Sequence, residues 1–157
     1  MVEPMDDAWR QITEGYATPS YLGGFTGARK QTLPSGESFV TKPGATQGQS
    51  VNEYDMNQYL NALGVGVPEA GLYDNTFLSR FENAVPFNVQ DFAHRNAVRQ
   101  DIAPHAAIAN WDMLGMTDDN VLIRPDGTPT YIDVGGAGPF RAGGEPKGSA
   151  FGSDVTM

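Results

Sequence analysis

The chain has 157 residues, 39% of them hydrophobic, which is enough to bury the core of a single domain. Ten basic residues against 19 acidic ones give a net charge of −9, and such a surface argues against binding to the phosphate backbone of nucleic acids. The absence of cysteine excludes disulfides, cysteine–zinc sites, iron–sulfur clusters and cysteine nucleophiles.

The N-terminus is acidic without an apolar signal segment, and no apolar run is as long as a membrane span. These features predict a cytoplasmic protein of a bacterium, a virus or a host cell, and no membrane partner is expected. The 19 glycines and 11 prolines predict many turns and short elements rather than a helical bundle.

The first half of the chain is predicted to contain a short helix, a group of strands and a second helix. The segments are a helix over 5–15, a linker over 16–20, two or three strands over 21–42 with a hairpin turn at 33–37, and a helix that stops at Gly64. Ser50 and Glu53 have the spacing of a capping box, which predicts that Ser50 is the N-cap of this second helix.

The second half is predicted to contain a strand pair, two helices and a β-hairpin. The segments are strands over 71–73 and 76–81 joined at Asp74 and Asn75, a connector over 82–86, a helix over 89–100, a helix with Pro104 in its first turn, a hairpin over 120–133, and an irregular tail over 137–157. This order predicts an α+β fold with mostly antiparallel strands.

Polar side chains lie at the open end of the predicted hairpin. The segment 124–128 has the chemistry of a tight turn. A two-residue turn would place Asn120 opposite Asp133, whereas a three-residue turn with a glycine bulge would place Asp119 opposite Asp133. In either register two oxygen-bearing side chains meet, which predicts a seat for a hard divalent cation. The alternative for Asp133 is an Asx turn at a strand end.

A lysine and a glutamate precede this hairpin on neighbouring elements. Lys42 ends an apolar strand, and Glu53 lies on the following helix, on the same face as Met56 and Leu60. A carboxylate on a packed face needs a partner, and Lys42 is the nearest basic residue on a neighbouring element. The alternative is that Glu53 only closes the capping box and that Lys42 is a solvated strand end.

Two further features have functional interpretations. A glycine-rich segment from Gly23 to Gly27 would let backbone N–H groups approach phosphate oxygens, although glycines also mark ordinary turns. Asp112 follows an alanine-rich helix and could orient a substrate hydroxyl and accept its proton, or it could be a loop cap. His94 and His105 are expected on a helix surface or in the core rather than as ligands or bases.

The order of these features resembles that of the protein-kinase-like superfamily. A glycine-rich hairpin, a strand lysine, a helix glutamate and a connector are followed by Asp, Asn and Asp-x-Gly. The resemblance is to the atypical HipA-type and phosphoinositide-kinase-like branches. The segments FVTKPG, ANWDMLGMTDDNVLI and YIDVGG are also similar to kinase-like domains of phage and prophage proteins. The resemblance spans residues 21–140 and is most specific over residues 110–136.

This resemblance implies a compact kinase-like α+β fold with two unequal lobes. Residues 1–20 would be an N-terminal helix and linker, and residues 21–83 would be a small N-lobe with an antiparallel sheet and one helix. Residues 84–157 would be a reduced helical C-lobe bearing the catalytic and metal-binding hairpin. The implied activity is transfer of phosphate from ATP, with Mg²⁺, to a Ser/Thr hydroxyl on a protein or on the chain itself, with small-molecule hydroxyls as a further option.

The resemblance also implies roles at the nucleotide end of the site. Gly23, Gly24, Thr26 and Gly27 would cover the phosphates of ATP. Lys42 would hold the α- and β-phosphates, and Glu53 would orient Lys42. The hinge that meets the adenine would run from Leu78 to Ala84 and would include Arg80 and Phe81.

At the other end of the site, the resemblance makes Asp112 the catalytic carboxylate. Asn120 and Asp133 would hold Mg²⁺, with Asp119 sharing or taking over a ligand role. The chain departs from the family where Asn110-Trp111-Asp112 replaces His-Arg-Asp, and the helical half that binds protein substrates has no counterpart. Two alternatives follow: a catalytically inactive nucleotide-binding pseudokinase, and a phage virion or head-associated structural protein that uses a kinase-like scaffold.

Overall fold

The computed structural model describes residues 4–23, 27–44, 47–110, 112–115, 119–140 and 147. A five-stranded antiparallel sheet forms most of the first half of the chain. The strands are β1 (Thr18–Tyr21), β2 (Arg29–Thr32), β3 (Ser38–Pro43), β4 (Ala70–Tyr73) and β5 (Thr76–Arg80), in the spatial order β1-β2-β3-β5-β4. Every neighbouring pair is antiparallel, as predicted. The predicted linker over 16–20 is wrong in part, because its last residues belong to β1 and pair with β2.

An N-terminal helix, α1 (Pro4–Thr13), covers one face of this sheet. Met5 and Ala8 of the helix are buried against Phe39 of β3 and Leu78 of β5. The ring of Trp9 stacks on that of Tyr73 with 5.3 Å between the centroids. One face of the sheet is therefore closed by the chain itself, which leaves the other face available to the second half of the molecule.

The second helix, α2 (Gln47–Ala62), begins earlier than the capping box predicts. Ser50 lies inside the helix, and its hydroxyl donates to the carbonyl of Asn75 at 2.6 Å. The predicted N-cap role of Ser50 is therefore wrong, since the backbone from residue 47 is already helical and the hydroxyl ties the helix to the β4–β5 turn. The end of the helix is as predicted, with Gly64 just beyond it at φ +80°.

The two hairpin turns follow the chemistry of their residues. Asp74 and Asn75 join β4 to β5 with φ values of +43° and +70°, the positive φ pair that a two-residue hairpin turn requires. The later hairpin joins β7 (Val121–Ile123) to β8 (Pro129–Tyr131). Its turn is closed by hydrogen bonds from the Arg124 N–H to the Thr128 carbonyl at 2.8 Å and from the Gly127 N–H to the Arg124 carbonyl at 2.9 Å.

This turn decides between the two predicted registers. Gly127 has φ +85°, and Val121 pairs with Tyr131, which is the register of a three-residue turn with a glycine bulge. The Ile132 N–H donates to the Asn120 carbonyl at 3.0 Å and continues the same register. If this register continues for one more residue, Asp119 rather than Asn120 lies opposite Asp133. The predicted two-residue turn is therefore wrong.

Two short helices and a third strand complete the second half. The helices are α3 (Phe92–Arg99) and α4 (Ile102–Ala107), and β6 (Val85–Pro86) pairs with β7 inside the segment predicted as a plain connector. The helix predicted from residue 89 begins only at Phe92, because the Asp91 carboxylate caps it by accepting from the Ala93 N–H at 2.8 Å. Within the described ranges, no helix is long and apolar enough to cross a membrane.

A single apolar cluster joins α2 to the second half of the chain. Leu60 of α2 is buried together with Val98 of α3, Val121 of β7 and Tyr131 of β8. Just beyond α2, the Gly66 carbonyl accepts from the Tyr131 N–H at 3.0 Å. A Cβ atom at position 66 would collide with the Pro129 carbonyl, so only glycine lets this segment lie directly against β8. The helix that carries Glu53 is thereby held against the hairpin.

Candidate functional site

A buried ion pair joins β3 to α2 on the face of the sheet that α1 leaves open. Lys42 Nζ donates to Glu53 Oε1 at 2.8 Å, and both side chains are buried. The same ammonium donates to the carbonyl of Ile132 at 2.6 Å and lies 3.9 Å from Asp133 Oδ1. Lys42 therefore links the sheet, the helix and the strand end that carries Asp133. The predicted pairing of Lys42 with Glu53 is confirmed.

The surroundings of Lys42 favour its charged form. Burial alone would lower the pKa of the ammonium, because a charge is poorly solvated in the protein interior. The charges of Asp133 and Glu53, together with the hydrogen bond to Glu53, outweigh burial and hold the pKa of Lys42 above its ordinary value. The ammonium is thus a fixed positive charge at neutral pH, which is what recognition of an anionic group requires.

The strand register shows which side chains share the face of Lys42. Residues directly opposite each other in a sheet lie on the same face. Lys42 pairs with Phe77, and Val40, the next residue of β3 on this face, pairs with Lys30 and Ser79. Phe81 follows in the same alternation, and its ring centroid lies 4.1 Å from Lys30 Nζ. Through Lys42 this face contacts Ile132 and Asp133 of the second half, and the region where the two meet is called the cleft below.

Arg80, a predicted nucleotide contact, lies on the opposite face of the sheet. It pairs with Phe39, and its guanidinium is 5.0 Å from the centroid of that ring. Ion pairs at 3.1 Å with Glu37 and Glu69 hold it there. Only the backbone of this residue therefore borders the cleft. Phe81, by contrast, is on the cleft side, and its role remains a prediction.

Asp112 lies in a short loop that is fixed by hydrogen bonds to the start of the hairpin. The Asp112 carbonyl accepts from the Gly115 N–H at 3.2 Å and from the Asn120 side-chain amide at 2.8 Å. The Asn120 N–H donates to the Leu114 carbonyl at 3.0 Å. These contacts hold Asp112 beside Asn120, although eight positions separate them in the chain.

Three carboxylates interact electrostatically at this end of the cleft. Partial burial raises the pKa of Asp112, a hydrogen bond from Asn120 opposes this effect, and the negative charges of Asp133 and Asp119 act in the same direction as burial. A cation bound beside these carboxylates would offset the repulsion that Asp112 experiences from Asp133 and Asp119. Within the described ranges, no group of three or more His, Asp or Glu side chains converges closely enough to form a ready-made metal site.

The backbone beyond Asp133 is packed closely against α2. A Cβ atom at Gly135 would lie 3.2 Å from Glu53 Oε2 and 3.7 Å from Asp133 Oδ1. Asn52, the neighbour of Glu53, donates its amide to the carbonyls of Gly135 at 3.4 Å and Ala137 at 2.9 Å. A side chain at Gly135 would therefore press against the carboxylate of Glu53. Asn52 is a site residue that the sequence did not single out, since its acceptors are backbone atoms.

Part of the predicted site lies outside the described residues. Of the glycine-rich segment, Gly23 and Gly27 are described and have φ values of +86° and +66°, a conformation that favours glycine. Gly24 and Thr26 are not among the described residues, and neither is most of the tail over 137–157. The proposed cover over the phosphates therefore stays a prediction.

Comparison with known proteins supports the fold. No protein-family model and no curated protein matches the chain by sequence. The crystal structure of the choline kinase LicA from Streptococcus pneumoniae is similar to this chain with a TM-score of 0.57 and 12% sequence identity, over 84% of this chain and 68% of LicA. At this identity the similarity concerns the fold alone. The chain thus has the predicted kinase-like α+β fold, with a small antiparallel-sheet N-lobe and a reduced C-lobe that bears a hairpin.

Proposed function

We propose that the chain is a phosphotransferase that uses ATP and Mg²⁺. The observation that carries the proposal is the position of the Lys42–Glu53 ion pair against Asp133, inside a kinase-like fold. A buried lysine, its orienting glutamate and a carboxylate at a strand end are the groups that bind and orient a nucleotide triphosphate in such folds. The placement within the HipA-type, phosphoinositide-kinase-like or phage-related branches is part of this proposal and is supported by the sequence segments alone.

The nucleotide end of the proposed site is built around Lys42. An ammonium has three donors, and within the described part of the chain Glu53 and the Ile132 carbonyl accept from two of them. The third donor suits a phosphate oxygen placed between Lys42 and Asp133. Phe81 lies on the same face, is partly exposed and offers apolar surface for the base. The proposed nucleotide end thus combines the buried positive charge of Lys42 with the apolar ring of Phe81.

The metal end of the proposed site is formed by the start and end of the hairpin. Asp133 and Asn120 would hold Mg²⁺, with Asp119 as an additional or alternative ligand. These residues fit the ion, because Mg²⁺ in nucleotide sites is bound by one or two carboxylates together with phosphate oxygens. Bound there, Mg²⁺ would supply positive charge that neutralises the phosphoryl oxygens during transfer.

Asp112 is the proposed residue at the acceptor end. Its side chain is half-buried beside Asn120, where it can orient an acceptor hydroxyl and accept its proton late in the transfer. The acceptor we propose is a Ser or Thr hydroxyl on a protein or on the chain itself. A small alcohol is the second class of acceptor to test, since the similar structure is that of a choline kinase.

The proposal is tested by transfer of radiolabelled phosphate from ATP, with and without Mg²⁺, to the chain itself, to generic protein acceptors and to choline. We expect Mg²⁺-dependent labelling by the wild type and its loss in Asp133→Ala. Asp55→Ala is the matched control, because Asp55 is exposed on α2. Labelling that survives Asp133→Ala would contradict the metal assignment.

The two alternative functions are distinguished when the transfer assay is combined with measurements of thermal shift and oligomeric state. A nucleotide-binding pseudokinase would show a thermal shift with Mg-ATP but no labelling of any acceptor. A head-associated structural protein would show neither response, would form stable oligomers or co-purify with capsids, and would be indifferent to Asp133→Ala.

A further inference from the structure

A lysine near the C-terminus connects the two loops that carry Asp112 and Asp133. Lys147 is only 3% exposed. Its Nζ donates to the carbonyls of Ala109 at 2.6 Å, Gly136 at 2.9 Å and Gly138 at 2.7 Å. Ala109 lies three residues before Asp112, and Gly136 lies three residues after Asp133. One ammonium therefore touches both loops of the proposed site.

The segment after Asp133 is held from two sides by polar side chains. Asn52 of α2 donates to the carbonyls of residues 135 and 137, and Lys147 donates to those of residues 136 and 138. The two side chains thus alternate along the backbone and cover four successive carbonyls. In addition, the Gly138 N–H donates to the Ile108 carbonyl at 2.6 Å, a direct bond between the two loops.

The physical properties of an ammonium suit this position. Its three donors match three converging carbonyl oxygens, and hydrogen bonds from a charged donor are stronger than those between neutral groups. Ala109 has φ +49°, a left-handed conformation that is unfavourable for a residue other than glycine. The bond from Lys147 to the Ala109 carbonyl helps to hold this strained conformation just before Asp112.

We propose that Lys147 is a positioning residue that sets the separation of Asp112 and Asp133. The inference rests on the proposed function, since it concerns the geometry of that site. Lys147 acts through the backbone of the two loops rather than on the substrate. Its loss would let the segment after Asp133 move relative to the loop of Asp112, and this would weaken the proposed metal site.

The first test replaces Lys147 by methionine, which keeps the length of the side chain and removes the charge. We expect the Mg²⁺ concentration for half-maximal transfer to rise by about 10- to 100-fold, the range found when outer partners of metal ligands are removed. Arg99→Met is the control, since it also removes one positive charge, from the exposed end of α3. A Lys147→Met protein with the Mg²⁺ dependence of the control would overturn the proposal.

A second measurement does not depend on catalysis. Hydrogen exchange of the Gly138 amide, which donates to Ile108, is expected to accelerate in Lys147→Met, while sheet amides such as that of Val40 keep their protection. An unchanged Gly138 amide would overturn the positioning role. If the wild type itself transfers no phosphate, the proposed function fails, and the exchange experiment still decides whether Lys147 holds the loops.

A third arm covers the case in which Lys147→Met does not fold. Lys147→Ala leaves room for a small cation, so the melting temperature and the transfer rate are compared in ammonium chloride and in tetramethylammonium chloride at equal concentration. We expect ammonium, which has N–H donors for the three carbonyls, to restore both quantities in part, and tetramethylammonium to restore neither. Equal behaviour in the two salts would count against the proposal.

Discussion

Lys42 Nζ of β3 lies 2.8 Å from Glu53 Oε1 of α2, although the two residues are 11 positions apart in the chain. Their side chains are 10% and 8% exposed, so water screens the pair very little. Taking two charges out of water is expensive unless each satisfies the other, and the geometry meets this condition. The pair is therefore sensitive to the loss of either partner.

We predict that Lys42→Met destabilises the fold by about 3–5 kcal/mol, because Glu53 is left buried without its partner. Glu53→Gln is expected to destabilise the fold by a comparable amount, because Lys42 then loses the carboxylate to which it donates. The double variant should cost clearly less than the sum of the two, since no uncompensated charge remains. Urea unfolding of the four proteins measures this coupling energy.

The matched control for this cycle is the surface pair of Arg80 and Glu69. Their side chains are 36% and 54% exposed at a distance of 3.1 Å, and the coupling between such groups is expected to stay below about 1 kcal/mol. A coupling between Lys42 and Glu53 no larger than this would contradict the description of the pair as a buried, mutually dependent unit.

Gly115→Ala is predicted to disturb the loop that carries Asp112. Gly115 has φ +86°, and a Cβ atom there would collide with Asp119 Oδ1 and lie 3.0 Å from Asn120 Cγ. The substitution therefore adds a steric clash to the strain of a left-handed alanine. We expect a loss of about 2 kcal/mol or more in the free energy of unfolding, together with weaker transfer.

Gly127→Ala separates the clash from the strain. Gly127 has nearly the same φ, +85°, but a Cβ atom there would have no neighbour within 4 Å. This variant is expected to lose only about 1 kcal/mol and to keep its activity. Equal losses for the two alanines in thermal unfolding would show that the contacts of Gly115 do not matter.

Asp112→Asn is predicted to separate activity from stability. Burial raises the pKa of Asp112, so above that pKa the ionised carboxylate costs the folded state free energy that the neutral amide does not. We expect a melting temperature at neutral pH that is equal to or above that of the wild type. Transfer should fall by about 10²- to 10⁴-fold, and ATP should still produce a thermal shift.

The exposed Asp55 provides the comparison for this variant. Asp55→Asn should leave both the melting temperature and the transfer rate unchanged. In the wild type, the rate should also decline as the pH falls through the raised pKa of Asp112, which a rate–pH profile records. Full transfer by Asp112→Asn would remove this residue from the proposed mechanism.

His105 is predicted to make the fold sensitive to mild acid. It is only 1% exposed, its Nδ1 lies 2.9 Å from the Asn110 side-chain nitrogen, and burial lowers its pKa from 6.5 to about 4. Between these values the unfolded chain binds a proton that the folded chain does not. The free energy of unfolding is therefore unaffected by protonation of His105 above pH 6.5 and declines as the pH falls toward 4. The full loss is about 3 kcal/mol.

Urea unfolding at a series of pH values, for the wild type and for His105→Gln, tests this prediction. Other groups also titrate in this range, so the informative quantity is the difference between the two slopes. We expect a shallower loss of stability in His105→Gln between pH 6.5 and 4. Parallel slopes would show that His105 does not contribute to acid sensitivity.

Local signals in the sequence were sufficient for much of the fold. A few adjacent residues predict each of three features: the end of α2 before Gly64, the turn at Asp74 and Asn75, and the glycine bulge at Gly127, which was one of two options. The order of Lys42, Glu53 and the later acidic residues could also be read directly. These features were predictable because their causes lie within one turn or one strand.

Other features needed the folded chain. Ser50 is a residue type favoured at N-caps, but in the structure its hydroxyl donates to the carbonyl of Asn75. The strands β1 and β6 are defined by their pairing with β2 and β7. The choice of hairpin register likewise depended on the complete ladder of β7 and β8. In each case a local preference was decided by a contact distant in the sequence.

The sequence by itself determined the order in which the chain supplies Lys42, Glu53 and the later acidic residues. Only the tertiary structure decided which backbone carbonyls the polar side chains reach: Lys42 donates to Ile132, Asn52 to Ala137, and Lys147 to Gly136. The physical reason is that every residue carries a carbonyl, so no residue type marks an acceptor, and only the folded backbone brings these oxygens to a donor.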